Sequence, residues 1–207
     1  LINIDAENIG KKFKNEWIFK DLSLNLSVGN PHAIIGPNGS GKSTLMQSLT
    51  GIMPLSQGKI YYKEENSLIE DTDWYSYLSF SSPYMELIEE FTLFESVLFH
   101  CKFRPLSKNL SVNEFLKEIE LFKHKDKQVK FFSSGMRQKL KLALAFYSLT
   151  PILFLDEPTS NLDIKGYEWY KEKILEILNK KVILISSNEP KEYIFCNSHL
   201  NILDYKV

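Results

Sequence analysis

Cysteine is scarce in this chain: Cys101 and Cys196 are the only two among 207 residues. They form no CxxC pair and stand at no metal-ligand spacing from a histidine, which argues against a disulfide scaffold or a zinc module. Free, buried thiols in a reducing compartment are the expectation. Long apolar runs are missing too. No stretch approaches the roughly 20 consecutive apolar residues that a bilayer-crossing helix needs. The first residues also lack the basic segment and apolar core of a signal peptide. The chain starts at Leu1 rather than Met, which fits a trimmed N-terminus, and the expected location is cytoplasmic. Charge of one sign is lacking as well, with 25 basic against 26 acidic side chains. No bulk field draws such a chain to nucleic acid or anionic lipid, so no nucleic-acid partner is expected. Repeats, low-complexity tracts and obvious linkers are absent, and the length suits one domain or one domain with a lobe.

What is present is ordered along the chain. "INID", "WIFKDLSLNL", "HAII" and "KIYY" read as strands in the first third. Between about 84 and 148 the apolar spacing turns helical, as in "FTLFESVLFH" and "VNEFLKEIELF". "ILFL" and "VILI" are short continuous aliphatic runs on either side of the helical pattern "YEWYKEKILEILNK". That arrangement predicts a βαβ unit whose strands are buried on both faces. The expected architecture is a parallel α/β core with an antiparallel N-terminal portion and a helical insertion. The core is expected over about 1–82 and 149–207, and the helical part over about 83–148.

Gly36 to Ser43 matches G-x-x-x-x-G-K-[ST] within "AIIGPNGSGKSTLMQSLTGI". An aliphatic strand precedes it, and a helix with Leu45, Leu49 and Ile52 on one face is predicted after it. Glycines 36, 39 and 41 let the backbone turn sharply enough for successive N–H groups to converge on phosphate oxygens. Pro37, Asn38, Ser40 and Thr44 complete the expected phosphate-binding run. Lys42 is expected to neutralise the β and γ phosphates of ATP, and the Ser43 hydroxyl to ligate Mg²⁺. A second motif, "ILFLDEPTSNLD", ends a buried strand in Asp156, at the edge where open α/β sheets hold ligands. Asp156 is expected to hold Mg²⁺ through water, and Glu157 to orient and polarise the attacking water.

The third stretch, "FFSSGMRQKLKLALAF" (131–146), reads as a helix with Met136, Leu140, Ala143, Leu144 and Tyr147 on one face. Ser133 or Ser134 is its expected N-cap. Small residues and hydroxyls at a helix start are also suited to an anion.

Together "GPNGSGKST", "FSSGMRQK", "LFLDEP" and "SNLD" occur in the order found in the nucleotide-binding domains of ABC (ATP-binding cassette) proteins, and the chain resembles that family over essentially its whole length. The resemblance implies a P-loop NTPase (RecA-like) core with an antiparallel β subdomain and an inserted α-helical subdomain. It also implies an ATPase subunit that pairs head to tail, as a homodimer or heterodimer, around two MgATP and drives a separate membrane-spanning subunit. On that pattern Ser133, Ser134 and Gly135 close over the γ-phosphate held by the partner copy, and Asp163 lies at the dimer seam. Phe13 takes the place of the aromatic that stacks on adenine, with Trp17 as the nearby alternative. The chain would then sit at the cytoplasmic face of a membrane. "SSPYMELIEEFTLFE" is either a docking surface for the membrane subunit or an amphipathic helix packed on its own core.

The sequence departs from the family in three places. The signature reads Phe132, Ser133, Ser134, Gly135, Met136 rather than LSGGQ. Ser81 stands where the family has a glutamine near Mg²⁺, and Asn188 where it has a histidine on the γ-phosphate. A hydroxyl at Ser81 reaches a metal only through water. Asparagine donates an amide N–H but relays no proton. Slow but real hydrolysis is therefore expected. Two other readings are a non-transport ABC ATPase and a slow-turnover dimerisation switch gated by nucleotide; a small-molecule kinase leaves "FSSGMRQK" and "SNLD" unexplained.

Overall fold

A computed structural model describes residues 1–65 and 67–207. The chain opens with two long strands, β1 (Ile2–Phe13) and β2 (Glu16–Ser27), paired antiparallel with Ile4 opposite Leu26 and Ala6 opposite Leu24. Then come β3 (His32–Ile35), helix α1 (Lys42–Leu49), β4 (Gln57–Glu64) and β5 (Ser67–Ile69). A short helix α2 (Trp74–Tyr77) leads into β6 (Leu78–Ser81). The helical part holds α3 (Leu93–Cys101), α4 (Val112–Glu118) and α5 (Ser134–Tyr147). The chain finishes through β7 (Ile152–Asp156), α6 (Ile164–Ile177), β8 (Val182–Ser186), α7 (Pro190–Tyr193) and β9 (Ser198–Asn201).

Two sheets result. One is antiparallel in the order β2-β1-β4-β5; the other runs β6-β7-β8-β3-β9 with every pairing parallel. β7 and β8 are buried at every residue, as their unbroken aliphatic runs predict for strands covered on both faces. Their side chains split by the two-residue period. Phe154 and Leu184 face α1 and the antiparallel sheet, joining Ile4, Phe19, Tyr62, Leu45 and Met46. Leu153, Leu155, Ile183 and Ile185 face the other way, onto Leu140, Ala143, Tyr170 and Phe115. Because β3, β7 and β8 run parallel, the loops that follow them emerge at one edge. That edge gathers the glycine-rich loop, the acid pair and Asn188.

Two helical expectations are corrected. Ile52 does not extend the α1 face: the helix ends at Leu49, Gly51 takes φ +79°, and Ile52 is exposed. The helical pattern expected from about 84 begins only at Leu93. Residues 82–91 form turns instead, with Met85 N donating to Ser82 O and Phe91 N to Ile88 O. This loop is fastened from outside itself. Val129 N donates to Phe91 O, Lys130 N donates to Glu89 O, and Lys141 Nζ donates to Ser82 O (3.0 Å) and Pro83 O (2.7 Å). Carbonyls committed to those partners have left the i→i+4 ladder. The alternative of an amphipathic helix over this segment therefore falls. Among the described residues no helix is long and apolar enough to cross a membrane.

Candidate functional site

The loop between β3 and α1 carries three left-handed glycines, Gly36 (φ +149°), Gly39 (+75°) and Gly41 (+104°). Two of them also tolerate nothing larger. A Cβ on Gly36 would stand 2.8 Å from Ile202 Cγ2, and one on Gly41 would stand 2.4 Å from Ile18 Cγ2. The loop closes on itself through Ser40 N donating to Pro37 O (3.2 Å), and Gly41 O accepts the first helical bond from Leu45 N (2.9 Å). Lys42 is 4% exposed, and its Nζ donates to Gly36 O (3.0 Å) and Pro37 O (3.1 Å). Its charge is thus held inside the curl of the loop. Pro37, Asn38 and Gly39 stand exposed on the rim, Ser40 is buried, and Ser43 and Thr44 are half-buried in the first turn of α1.

α1 packs against β7 and β8, which brings the acid pair beneath the loop. Asp156 is 1% exposed and its Oδ1 has no hydrogen-bond partner. An unpaired, buried carboxylate oxygen is costly unless something polar meets it. Ser186, level with Asp156 on β8, also has a buried hydroxyl without a partner, as do Ser40 and Ser81. The donor set is all oxygen, small and negatively charged, which fits Mg²⁺ rather than a softer metal. The triphosphate of ATP fits the glycine curl and Lys42 on the same grounds. The register limits Ser81. It stands beside Leu155, on the sheet face opposite Asp156, so a link from its hydroxyl to a metal at Asp156 runs through water around the strand end.

Glu157 adopts φ +42° and its backbone N donates to Ser186 O (2.8 Å). A left-handed conformation in a residue with a Cβ is unfavourable by roughly 1–2 kcal/mol and persists where surrounding contacts impose it. The turn places half-buried Glu157 just past the end of β7, at the edge that carries the glycine loop. Asn188 is exposed two residues past the end of β8, beyond Ser187, whose N donates to Ile34 O (3.1 Å).

Helix α5 starts where its sequence suggests. Ser133 is the N-cap, its hydroxyl accepting from Met136 N (3.2 Å). Ser133 and Ser134 are exposed, and Gly135 lies so close to the loop after β7 that a Cβ there would stand 3.0 Å from Asn161 O. From Leu140 onward the helix is buried all round. Asp163 caps α6 by accepting from Gly166 N (2.8 Å). Phe13 is 47% exposed at the end of β1, with Lys11 Nζ 5.0 Å from its ring centroid. Trp17 is half-buried, with Lys12 and Lys20 against its ring. The P-loop, the acid pair and Asn188 thus share one edge, while the Ser133 turn stands at the start of a helix on the other face.

Two residues close to the acid pair escaped the sequence reading. Gln138 is 1% exposed and its Nε2 donates to Pro158 O (2.8 Å). Glu192, 2% exposed on α7, accepts from Thr159 N (2.7 Å) and from the Thr159 hydroxyl. Gln138 follows the signature in the motif "GMRQK", which is the only signal in the sequence. Glu192 has none, because only the fold brings α7 to Thr159.

A family model described as ABC transporter matches residues 19–160. The spermidine/putrescine import ATP-binding protein PotA of Fusobacterium nucleatum is 32% identical over 79% of this chain and 44% of its own. The lantibiotic transport ATP-binding protein SrtF of Streptococcus pyogenes is 29% identical over 89% of this chain and 80% of its own. The chain spans about half the length of PotA and of the Fe(3+) ion import ATP-binding protein FbpC of Fusobacterium nucleatum (48% of the latter). Among solved structures, an ATP-binding subunit of an ABC transporter superposes with TM-score 0.81 at 23% identity, covering 96% of this chain and 85% of that one. A bacterial ABC transporter cassette solved as a dimer superposes with TM-score 0.81 at 23% identity, covering 96% and 94%. A family match over more than half the chain, joined to a P-loop, an acid pair and a capped signature helix on this fold, makes the chain a member of the ABC transporter family.

Proposed function

We propose that this chain binds MgATP and hydrolyses it as the ATP-binding subunit of an ABC transporter, in a head-to-tail pair with a second cassette, identical or related. The observation that carries the reading is that one sheet edge carries both Lys42, folded into the glycine curl, and a buried Asp156 oxygen without a partner. When bound, the metal supplies charge neutralisation at the β and γ phosphates. Gly36, Pro37, Asn38, Gly39, Ser40, Gly41 and Thr44 bind the phosphates through the loop, and Ser43 and Asp156 hold the metal's shell. Glu157 takes the proton from water aimed at the γ-phosphorus. Asn188 offers an N–H to the γ-phosphate oxygen, and Phe13 stacks on the base. Ser133, Ser134 and Gly135 serve the partner's nucleotide, with Asp163 at the seam; the N-cap geometry of Ser133 supports this, since the free N–H groups of α5 start there.

The core over about 1–82 and 149–207 works as the catalytic half, and 83–148 as the part that receives a separate membrane-spanning subunit at the cytoplasmic face. An apolar cleft of about 610 Å³ between the 85–91 loop and α3, lined by Phe80, Met85, Leu87, Ile88, Phe99 and Phe103, supports that assignment. The three relatives named above are import or transport ATP-binding proteins, which favours transport over the non-transport alternative. With Ser81 and Asn188 in place, turnover is slow. Phosphate release by purified protein, compared with Glu157→Gln, tests the ATPase reading: equal rates in both would remove it. Crosslinks from a cysteine at Ser133 to the partner's glycine loop, formed only with nucleotide, test the pairing.

A further inference from the structure

The turn that carries Glu157 is held from three elements. Its own N–H is bonded to Ser186 O on β8. One residue on, Pro158 O accepts from Gln138 Nε2 (2.8 Å), reaching over from α5. One further, Thr159 gives both its donors, backbone N–H and hydroxyl, to Glu192 Oε1. Glu192 is itself fixed, since Tyr170 OH of α6 donates to its backbone O (2.6 Å) and its side chain is 2% exposed. Something must impose φ +42° on Glu157, and these bonds lie at it and at the two residues that follow.

We propose that Glu192 is a positioning residue for ATP hydrolysis: through Thr159 it holds the left-handed turn that aims the Glu157 carboxylate. Glu192 also lies four residues past Asn188, so one side chain fixes the loop of the water-activating carboxylate against the loop of the γ-phosphate donor. Such spacing matters because a displacement of about 1 Å in a reacting group lowers a rate by as much as 10²-fold. Burial, aided by the Glu157 charge, pushes the Glu192 carboxyl upward against the hydrogen bonds it accepts. Glu192→Gln keeps an acceptor oxygen for both Thr159 donors, whereas Glu192→Ala leaves those donors buried without one.

The inference rests on the ATPase reading, and the test separates the two. Full-length wild type, Glu192→Ala, Glu192→Gln and Thr159→Val are compared for kcat, KM and calorimetric affinity for MgATP. In Glu192→Ala, kcat is expected to fall by about 10- to 100-fold with KM and Kd within about twofold. Glu192→Gln should recover most of the rate, and Thr159→Val should lose a few-fold in kcat alone. Unchanged kcat in Glu192→Ala overturns the proposal. So does a loss of binding that matches the loss of rate, or a Glu192→Gln variant as slow as the alanine. If the alanine variant does not fold, Thr159→Val decides alone, and wild-type kcat there is the refuting result. If wild type shows no turnover above Glu157→Gln, the ATPase reading is what has failed. Hydrogen exchange at the Thr159 amide then still reports the clamp, faster in Glu192→Ala than in Glu192→Gln, and equal exchange in the two overturns it.

Discussion

Replacing Lys42 by alanine is the sharpest probe of the phosphate cradle. In the free protein Lys42 is 4% exposed and its ammonium is bonded to Gly36 O and Pro37 O at 3.0 and 3.1 Å. Bound nucleotide must compete for it, so the gain on binding is the contacts to the β and γ phosphates less two carbonyl contacts. A unit charge about 4 Å from a phosphate charge is worth roughly 4 kcal/mol at an effective dielectric of 20, so the two phosphates together contribute about 8 kcal/mol. Hydrogen bonds from a charged donor contribute about 1.5–3 kcal/mol each, and the two to the carbonyls offset about 3–6 kcal/mol of the gain. A net loss of about 2–5 kcal/mol, or roughly 30- to 5000-fold in Kd, is expected for Lys42→Ala. Stability of the free protein should change far less. The alanine loses the two bonds but also relieves the burial of an ammonium, and the terms oppose each other. Isothermal calorimetry with saturating magnesium reads the affinity, and urea unfolding without nucleotide reads the stability. An affinity within about threefold of wild type would refute the argument. Equal losses in both measurements would mean that the lysine holds the loop and not the phosphate.

Three further outcomes follow from particular contacts. Asn188→His should raise kcat, by less than about 10²-fold because asparagine already supplies one donor, with KM little changed; an unaltered steady-state rate counts against Asn188 as the γ-phosphate contact. Gly41→Ala forces a Cβ to 2.4 Å from Ile18 Cγ2 at φ +104°, and should lower stability by about 2–4 kcal/mol in denaturant unfolding. A neutral effect would mean that Ile18 yields freely. Burial holds the Lys181 ammonium down to about 8, from 10.5, while its Nζ donates to Ser148 O (2.8 Å). Below pH 8 the folded and unfolded chains both carry that proton, and the burial penalty is at its full value. Between about pH 8 and 10.5 the unfolded chain keeps the proton that the folded chain has released, so the contribution of Lys181 to stability should climb with pH by about 3 kcal/mol. Burial pushes the Cys196 thiol up to about 12, which moves total stability the other way over the same range, so the climb is read as the difference between wild type and Lys181→Met. A difference that does not grow with pH would remove Lys181 as its source.

The helix start at Ser133 was read from the sequence, and those at Thr92 and Ser111 share its local cause. "SSGM" at Ser133 becomes an N-cap because a hydroxyl and the N–H three residues later are near neighbours in any helix. "TLFE" and "SVNE" form capping boxes at Thr92 and Ser111 on the same principle. The loop at 82–91 was misread because its apolar spacing mimics a helix, while its carbonyls are taken by Val129, Lys130 and Lys141 from elsewhere in the chain.

The sequence by itself determined β1 to β4, β7 and β8, most of the helices and the P-loop, because periodicity, capping and glycine freedom act over a few neighbouring residues; β5, β6 and β9 are too short to carry such a pattern. It also determined the family, whose motifs are contiguous. Only the tertiary structure decided that β3, β7 and β8 deliver three loops to one edge, and that Ser81 stands on the opposite sheet face from Asp156. It alone brought Gln138 and Glu192 to the turn at Glu157. Those relations depend on parallel register and on buried contacts between residues 20 and 33 positions apart, distances over which no local pattern carries a signal.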